Sequence, residues 1–273
     1  MNVVDAIRIS RPKFWLYLAG TFAVGAVAGV KEASGLLSPW FVGLLLYFSL
    51  PANFFLYGVN DYFDRDTDEY NERKGDEEYL VGEQTRSLQS WLLITAALSM
   101  IVIAALPVRA AMVLAMFVIL SYAYSGPPTR FKRHPWIDSA SNVLYILPGL
   151  IGYLTGSHTW PASLIVLGGA LWTMAMHLYS AVPDIEADSA AGLSTTAVTL
   201  GQETSLLLCT VLWTGSTAAF ALHDPILLVI ALYPGLSLLA LWHGRVAAQY
   251  AWYPWINGIM GTAGFWYAAY PLI

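Results

Sequence analysis

Residues 39–68 read PWFVGLLLYFSLPANFFLYGVNDYFDRDTD. The stretch 39–60 contains no Asp, Glu, Lys or Arg, while the eight residues from Asp61 to Asp68 contain Asp61, Asp64, Arg65, Asp66 and Asp68. A helix needs about 20 apolar residues to cross the hydrocarbon core of a bilayer. The first part meets that length, and the abrupt burst of charge marks where it leaves the membrane. If the helix continues past the exit, Asp61, Asp64 and Asp68 fall at i, i+3 and i+7 and share one face. Asn60 adds a carbonyl oxygen beside them, and Asn53 and Tyr57 lie upstream on the same face.

Apolar stretches of similar length recur on either side, near 14–30, 88–106, 108–124, 138–156, 161–183, 204–222, 225–243 and 252–272. The division at Pro107-Val108-Arg109 reads as a tight turn between two of them. Hydrophobic residues make up 57% of the 273-residue chain and charged residues 11%, against roughly 25% charged in a soluble domain. So few charges cannot cover a water-facing surface. The expected fold is therefore all-α, a multi-pass transmembrane bundle of about nine helices forming one domain over 1–273. Arg8, Arg11 and Lys13 precede the first apolar stretch, and no small-residue cleavage pattern follows it, so it is expected to stay as a helix.

The distribution of charge sets an orientation. With a cytoplasmic N-terminus, the inner segments hold Arg8, Arg11, Lys13, Arg65, Arg73, Lys74, Arg86, Arg130, Lys132, Arg133 and Arg245, and the outer ones only Lys31 and Arg109. That is the bias the positive-inside rule describes. It places both acidic clusters at the cytoplasmic face of a cell-membrane protein. The chain has no basic stripe, so no nucleic-acid partner is expected. Its single cysteine, Cys209, cannot form an internal disulfide.

Acidic residues gather a second time in Asp184-Ile185-Glu186-Ala187-Asp188, directly after Pro183. Asp184 and Asp188 are one helical turn apart, and His177 lies upstream on that face. Several carboxylates at a low-dielectric boundary repel one another unless a cation neutralises them. Their oxygens favour hard cations, and Mg²⁺ commonly bridges carboxylates to substrate phosphates. A third segment, Tyr124-Ser125-Gly126-Pro127-Pro128-Thr129-Arg130-Phe131-Lys132-Arg133, brings cations and hydroxyls to the same face as a phosphate clamp. A calcium loop starting at Asp64 is excluded, because its sixth position is Glu69 and its twelfth Gly75. A cation-binding transporter is the rival reading. Acids at mid-depth would favour it, but here they sit at the ends of the apolar stretches.

Asn-Asp-x-x-Asp-x-x-x-Asp at 60–68 and Asp-x-x-x-Asp at 184–188 resemble the paired signatures of the UbiA family of intramembrane prenyltransferases. Residues 124–132 are similar to that family's Tyr-Ser-x-Pro…Lys loop, and Gly192–Gly201 resembles the stretch after its second motif. The likeness covers essentially the whole chain. It implies a bundle whose central cavity is capped on the cytoplasmic side. It also implies Mg²⁺-dependent transfer of a prenyl group from an allylic diphosphate, such as dimethylallyl diphosphate, to a lipophilic acceptor. That is the chemistry of enzymes transferring alkyl groups other than methyl. Carried over, Asn60, Asp61, Asp64, Asp68, Asp184 and Asp188 would hold metal, the five aspartates being the catalytic set. Arg73, Tyr124, Arg130 and Lys132 would contact diphosphate. Family members often carry an Arg-Pro pair in the loop after the first motif; here 71–80 reads NERKGDEEYL, without one. Residues 11–15, 51–58 and 182–188 look most like the branch that elongates lycopene toward C50 carotenoids, with water adding after transfer in some cases. A family member acting on an aromatic or quinone precursor is the alternative.

Overall fold

The computed structural model describes residues 1–68 and 85–273, and the side chains of all of these except 64–68 and 85. Every regular element among the described residues is helical. In chain order the α-helices are α1 (Val3–Ile9), α2 (Thr21–Gly29), α3 (Pro39–Ser49), α4 (Pro51–Asp68), α5 (Thr85–Ala105), α6 (Val108–Ser125), α7 (Ile137–Ala140), α8 (Leu147–Ser157), α9 (Ser163–Ala181), α10 (Ile185–Ala190), α11 (Thr196–His223), α12 (Leu232–His243), α13 (Val246–Tyr250) and α14 (Tyr253–Ala269).

The boundaries follow local chemistry. Ser38 caps α3 by accepting the Phe41 N–H at 3.2 Å, with Pro39 in the first turn, where its missing donor costs nothing. Pro51 cannot donate back into α3, so α4 begins as a new helix, and Asn53 donates to the Phe48 and Ser49 carbonyls at 2.6 and 3.0 Å. Pro107 separates α5 from α6, as its position in the sequence predicts. Gly201, at φ 72°, ψ 170°, interrupts α11 in a conformation open to glycine.

Among the described residues, six helical stretches are long and apolar enough to cross a bilayer: Pro39–Phe63, Arg86–Ala105, Val108–Ser125, Ser163–Ala190, Thr196–His223 and Pro225–His243. They coincide with six of the expected apolar stretches. The other three are helical in shorter pieces. Stretch 14–30 is a π-helical turn at Leu16–Gly20 followed by α2. Stretch 138–156 runs through α7, a 3-10 segment Ser141–Ile146 and α8, with Pro148 at the junction. Stretch 252–272 gives α14, 17 residues long, and a 3-10 turn at Tyr270–Leu272 containing Pro271.

The chain forms two compact units. The first comprises Met1–Thr129, Leu147–Trp160 and Ile256–Ile273. Its tightest contact joins α2 to α8: a Cβ at Gly25 would enter the Gly149 backbone, one at Gly29 the Tyr153 backbone, and one at Gly152 the Phe22 carbonyl. Close backbone approach through small residues replaces the hydrophobic drive that lipid cannot supply. Phe22, Phe48 and Phe117 fill the space alongside, with ring centroids 5.3 and 6.0 Å apart.

The second unit comprises Arg130–Ile146 and Pro161–Trp255. In it α11 is joined to α9 and to α12 by polar links through apolar surface. Ser216 donates to the Gly168 carbonyl at 2.8 Å and Ser237 on α12 to the Leu206 carbonyl at 2.8 Å. Tyr179, Trp213, Tyr233 and Tyr253 are fully buried and pack ring on ring, Tyr179 lying 4.8 Å from Tyr253. Leu93, Ile101, Val211, Leu228 and Trp242 are among many large apolar side chains left exposed, the surface expected where lipid is the solvent.

Candidate functional site

The two units carry different parts of the expected site. In the first, α4 delivers Asn60 and Asp61 at its cytoplasm-predicted end. Asn60 donates from Nδ2 to Ser125 Oγ on α6 at 2.9 Å, which fixes the amide by its nitrogen. Asp61 is buried, and its Oδ1 accepts from Arg11 Nη2 at 2.9 Å. The same guanidinium lies 4.7 Å from the centroid of the Tyr57 ring, one turn earlier on α4. Tyr57 and Asp61 thus do share the face that helical spacing assigns them. A cation meets two of its members, combining an ion pair with cation–π attraction. Arg11 holds a left-handed backbone conformation, φ 51°, just before Pro12, a strained geometry of the kind found at sites that must aim a side chain.

In the sequence Arg11 stands as a marker of orientation and as part of the 11–15 resemblance, not as a partner of Asp61. The contact spans fifty positions, so no local spacing reveals it. Ser125, which anchors Asn60, lies 65 positions away and is likewise beyond the reach of local spacing. Tyr124 is half-buried at the end of α6. Asp64 and Asp68 lie in the last turns of α4, with side chains outside the described set, and Arg73 lies outside the described residues.

In the second unit, α9 ends at Ala181. Pro183 opens a single 3-10 turn, Val182–Asp184, before α10. Asp184 therefore stands at the N-terminal boundary of α10, with no side-chain capping bond to it, and Asp188 sits one turn inside. The change of helix type removes His177 from simple α-helical register with Asp184. Asp184 and Asp188 remain close enough for their charges to interact, and Lys132 brings positive charge to Asp188. Arg130 adopts the left-handed region, φ 43°, and leads into a 3-10 turn Phe131–Arg133 that presents Lys132.

One further carboxylate stands in the sequence merely at the start of an apolar stretch. Asp138, on α7, is 1% exposed. Its Oδ2 accepts the Thr196 N–H at 2.7 Å, and its Oδ1 accepts the Ser139 N–H at 2.7 Å as well as the Thr196 hydroxyl. Its charge also reaches Asp188 and His177. Each oxygen is used by donors from the chain itself, the condition under which a buried charge is tolerated.

For a metal, the donor chemistry fits: Asp184 and Asp188 are hard oxygen ligands one turn apart beside a lysine. Among the described residues no three His, Cys, Asp or Glu side chains gather into a complete ligand set. For Asp61 the observed partner is the Arg11 guanidinium.

Among the described residues, carboxylates stand at the ends of apolar helices long enough to cross a bilayer, and a basic turn lies beside one pair of them. The chain belongs to the UbiA prenyltransferase family, whose model matches residues 18–271. It is a prenyltransferase, acting in the class that transfers alkyl groups other than methyl. It is 43% identical over 270 residues to the lycopene elongase/hydratase of Halobacterium salinarum, covering 94% of this chain and 96% of that one. Identity to the lycopene elongase/hydratase of Haloarcula japonica is 40% over 257 residues, with 93% and 87% covered. The fold matches a UbiA homolog from Archaeoglobus fulgidus, determined bound to DMAPP and Mg²⁺, with a TM-score of 0.82 over 98% of this chain and 99% of that one at 22% identity.

Proposed function

We propose that this chain transfers a five-carbon prenyl group from dimethylallyl diphosphate to the end of a carotenoid, lycopene being the acceptor. The observation that carries the chemistry is the pair Asp184 and Asp188 with Lys132 at the latter's side. The acceptor is supported by relatives named lycopene elongase/hydratase, similar over nearly their whole length. The donor is supported by the DMAPP and Mg²⁺ described for the Archaeoglobus fulgidus protein.

Asn60, Asp61, Asp64, Asp68, Asp184 and Asp188 are the residues that would hold magnesium. Asn60, tied down through its nitrogen, has its carbonyl oxygen as the end to offer a cation. Bound magnesium supplies Lewis-acid stabilisation of charge on the departing diphosphate. Lys132, Arg130, Arg73 and the Tyr124 hydroxyl donate to diphosphate oxygens and strengthen as the C–O bond breaks and its electron pair moves to pyrophosphate. The allylic cation left behind is shielded from water in an apolar cavity, where aromatic faces stabilise it. The terminal double bond of the acceptor supplies the electrons for the new C–C bond. The resulting cation then loses a proton, either directly to give an alkene or from a water that has added to it to give an alcohol. Nine crossings with a cytoplasmic N-terminus would place this chemistry at the inner leaflet.

Expression in cells that accumulate lycopene tests the reading. Pigments heavier by one or two five-carbon units are the expected products, and Asp184→Ala is expected to lower their yield on the order of 100-fold or more. Unchanged lycopene together with transfer to an aromatic or quinone precursor would replace the acceptor. Full activity in Asp184→Ala would remove the metal-binding role.

A further inference from the structure

A row of aromatic rings leads away from the first acidic face, all of it within the first unit. It starts at Tyr57, one turn before Asp61 on α4. The Arg11 guanidinium joins the two, 2.9 Å from Asp61 and 4.7 Å from the centre of the Tyr57 ring. Phe14 lies 6.0 Å from Tyr57, and Tyr17 lies 5.7 Å from Phe14, centroid to centroid. The row ends in a hydrogen bond: Asn257 of α14 donates from Nδ2 to the Tyr17 hydroxyl oxygen at 3.2 Å, across 240 positions of sequence.

Three features set this row apart from ordinary packing. Phe22, Phe48 and Phe54 are buried, whereas Tyr57, Phe14 and Tyr17 are each half-buried and keep ring surface to offer. Asn257 is 8% exposed within the apolar stretch 252–272, where a buried amide is costly unless it is hydrogen-bonded. Tyr17 stands on the π-helical turn Leu16–Gly20, its carbonyl accepting the Thr21 hydroxyl at 2.7 Å. Single π-helical turns occur frequently at functional sites.

We propose that Tyr17 and Asn257 set the length of the prenyl donor. Their hydrogen bond closes the far end of a slot whose wall is the Tyr57–Phe14 pair and whose mouth is the diphosphate site beside Asp61. This rests on the function proposed above, with the diphosphate held at the acidic faces. A dimethylallyl tail laid along Tyr57 and Phe14 stops short of the bridge, and the longer geranyl tail meets it. Lengthening the slot means breaking a buried hydrogen bond, a cost that falls on the longer donor alone. A pocket that penalises only the wrong substrate in this way gains specificity without binding the right one more tightly.

The test uses the full chain purified in detergent with Mg²⁺, and measures the binding of dimethylallyl and geranyl diphosphate by isothermal titration calorimetry. The unaltered chain is expected to bind the dimethylallyl compound more tightly. Tyr17→Ala is expected to shift the ratio of the two affinities toward geranyl diphosphate by about 10-fold or more, the scale on which apolar pockets discriminate chain length. Tyr17→Phe and Asn257→Leu delete the hydrogen bond and keep the bulk, so each is expected to shift the ratio the same way by less. Thermal melting follows folding in each variant. An unchanged ratio in the folded variants, an equal loss of both donors, or no preference in the unaltered chain would overturn the proposal and leave the functional reading intact. Binding of neither diphosphate by the unaltered chain would overturn both.

Discussion

Arg11 shows how much one side chain can decide. It neutralises a buried carboxylate and covers a tyrosine face on the same helix. Removing one partner of a buried ion pair leaves the other uncompensated, at a cost of about 3–5 kcal/mol. Arg11→Ala is therefore expected to lower the melting temperature of the detergent-purified chain markedly, and adding Asp61→Asn to recover part of the loss. An unchanged melting temperature in Arg11→Ala would show that the pair carries no stability. At this scale the sequence told residue types well and partners poorly. Carboxylates at i, i+3 and i+4 announce a shared face because helix geometry is local. The partners of Asp61, Asn60 and Asp138 arrive from 50 to 65 positions away, and only the assembled fold brings them.

The helices were readable where length and hydropathy sufficed, and less so where packing decided. Six expected stretches became helical spans long enough to cross a bilayer, three of them each within a single α-helix and three with a break or a 3-10 segment. The remaining three stretches, 14–30, 138–156 and 252–272, carry internal Pro148 or Pro271, or lead from the strained Arg11-Pro12 step, and in each the backbone departs from one regular helix. The α2–α8 contact was not anticipated, since glycines in an apolar run read as filler until their partner is known. Gly25→Ala is expected to force α2 from α8 and cost about 1–3 kcal/mol, seen as a lower melting temperature. Gly43→Ala is the control: nothing lies within 4 Å of its added methyl, and alanine favours the helix, so stability is expected to hold or rise. Equal behaviour of the two variants would show that the close approach contributes nothing.

For the whole molecule, composition alone excluded a soluble protein, and the bias of thirteen Lys and Arg residues gave an orientation. Cys209 is the sole cysteine and is buried, so the chain is already suited to accessibility mapping. Lys31 and Arg245 are both exposed. In intact cells a membrane-impermeant maleimide is expected to label Lys31→Cys, and to label Arg245→Cys only after permeabilisation. The opposite pattern would invert the topology. The glycine contact between α2 and α8 also carries a consequence for synthesis. Gly25 emerges from the ribosome roughly 120 residues before Gly149, an interval of about 6–25 s at 5–20 residues per second. Throughout that time the glycine groove of α2 lacks the segment that later fills it, so the docking of α2 must wait for the synthesis of α8.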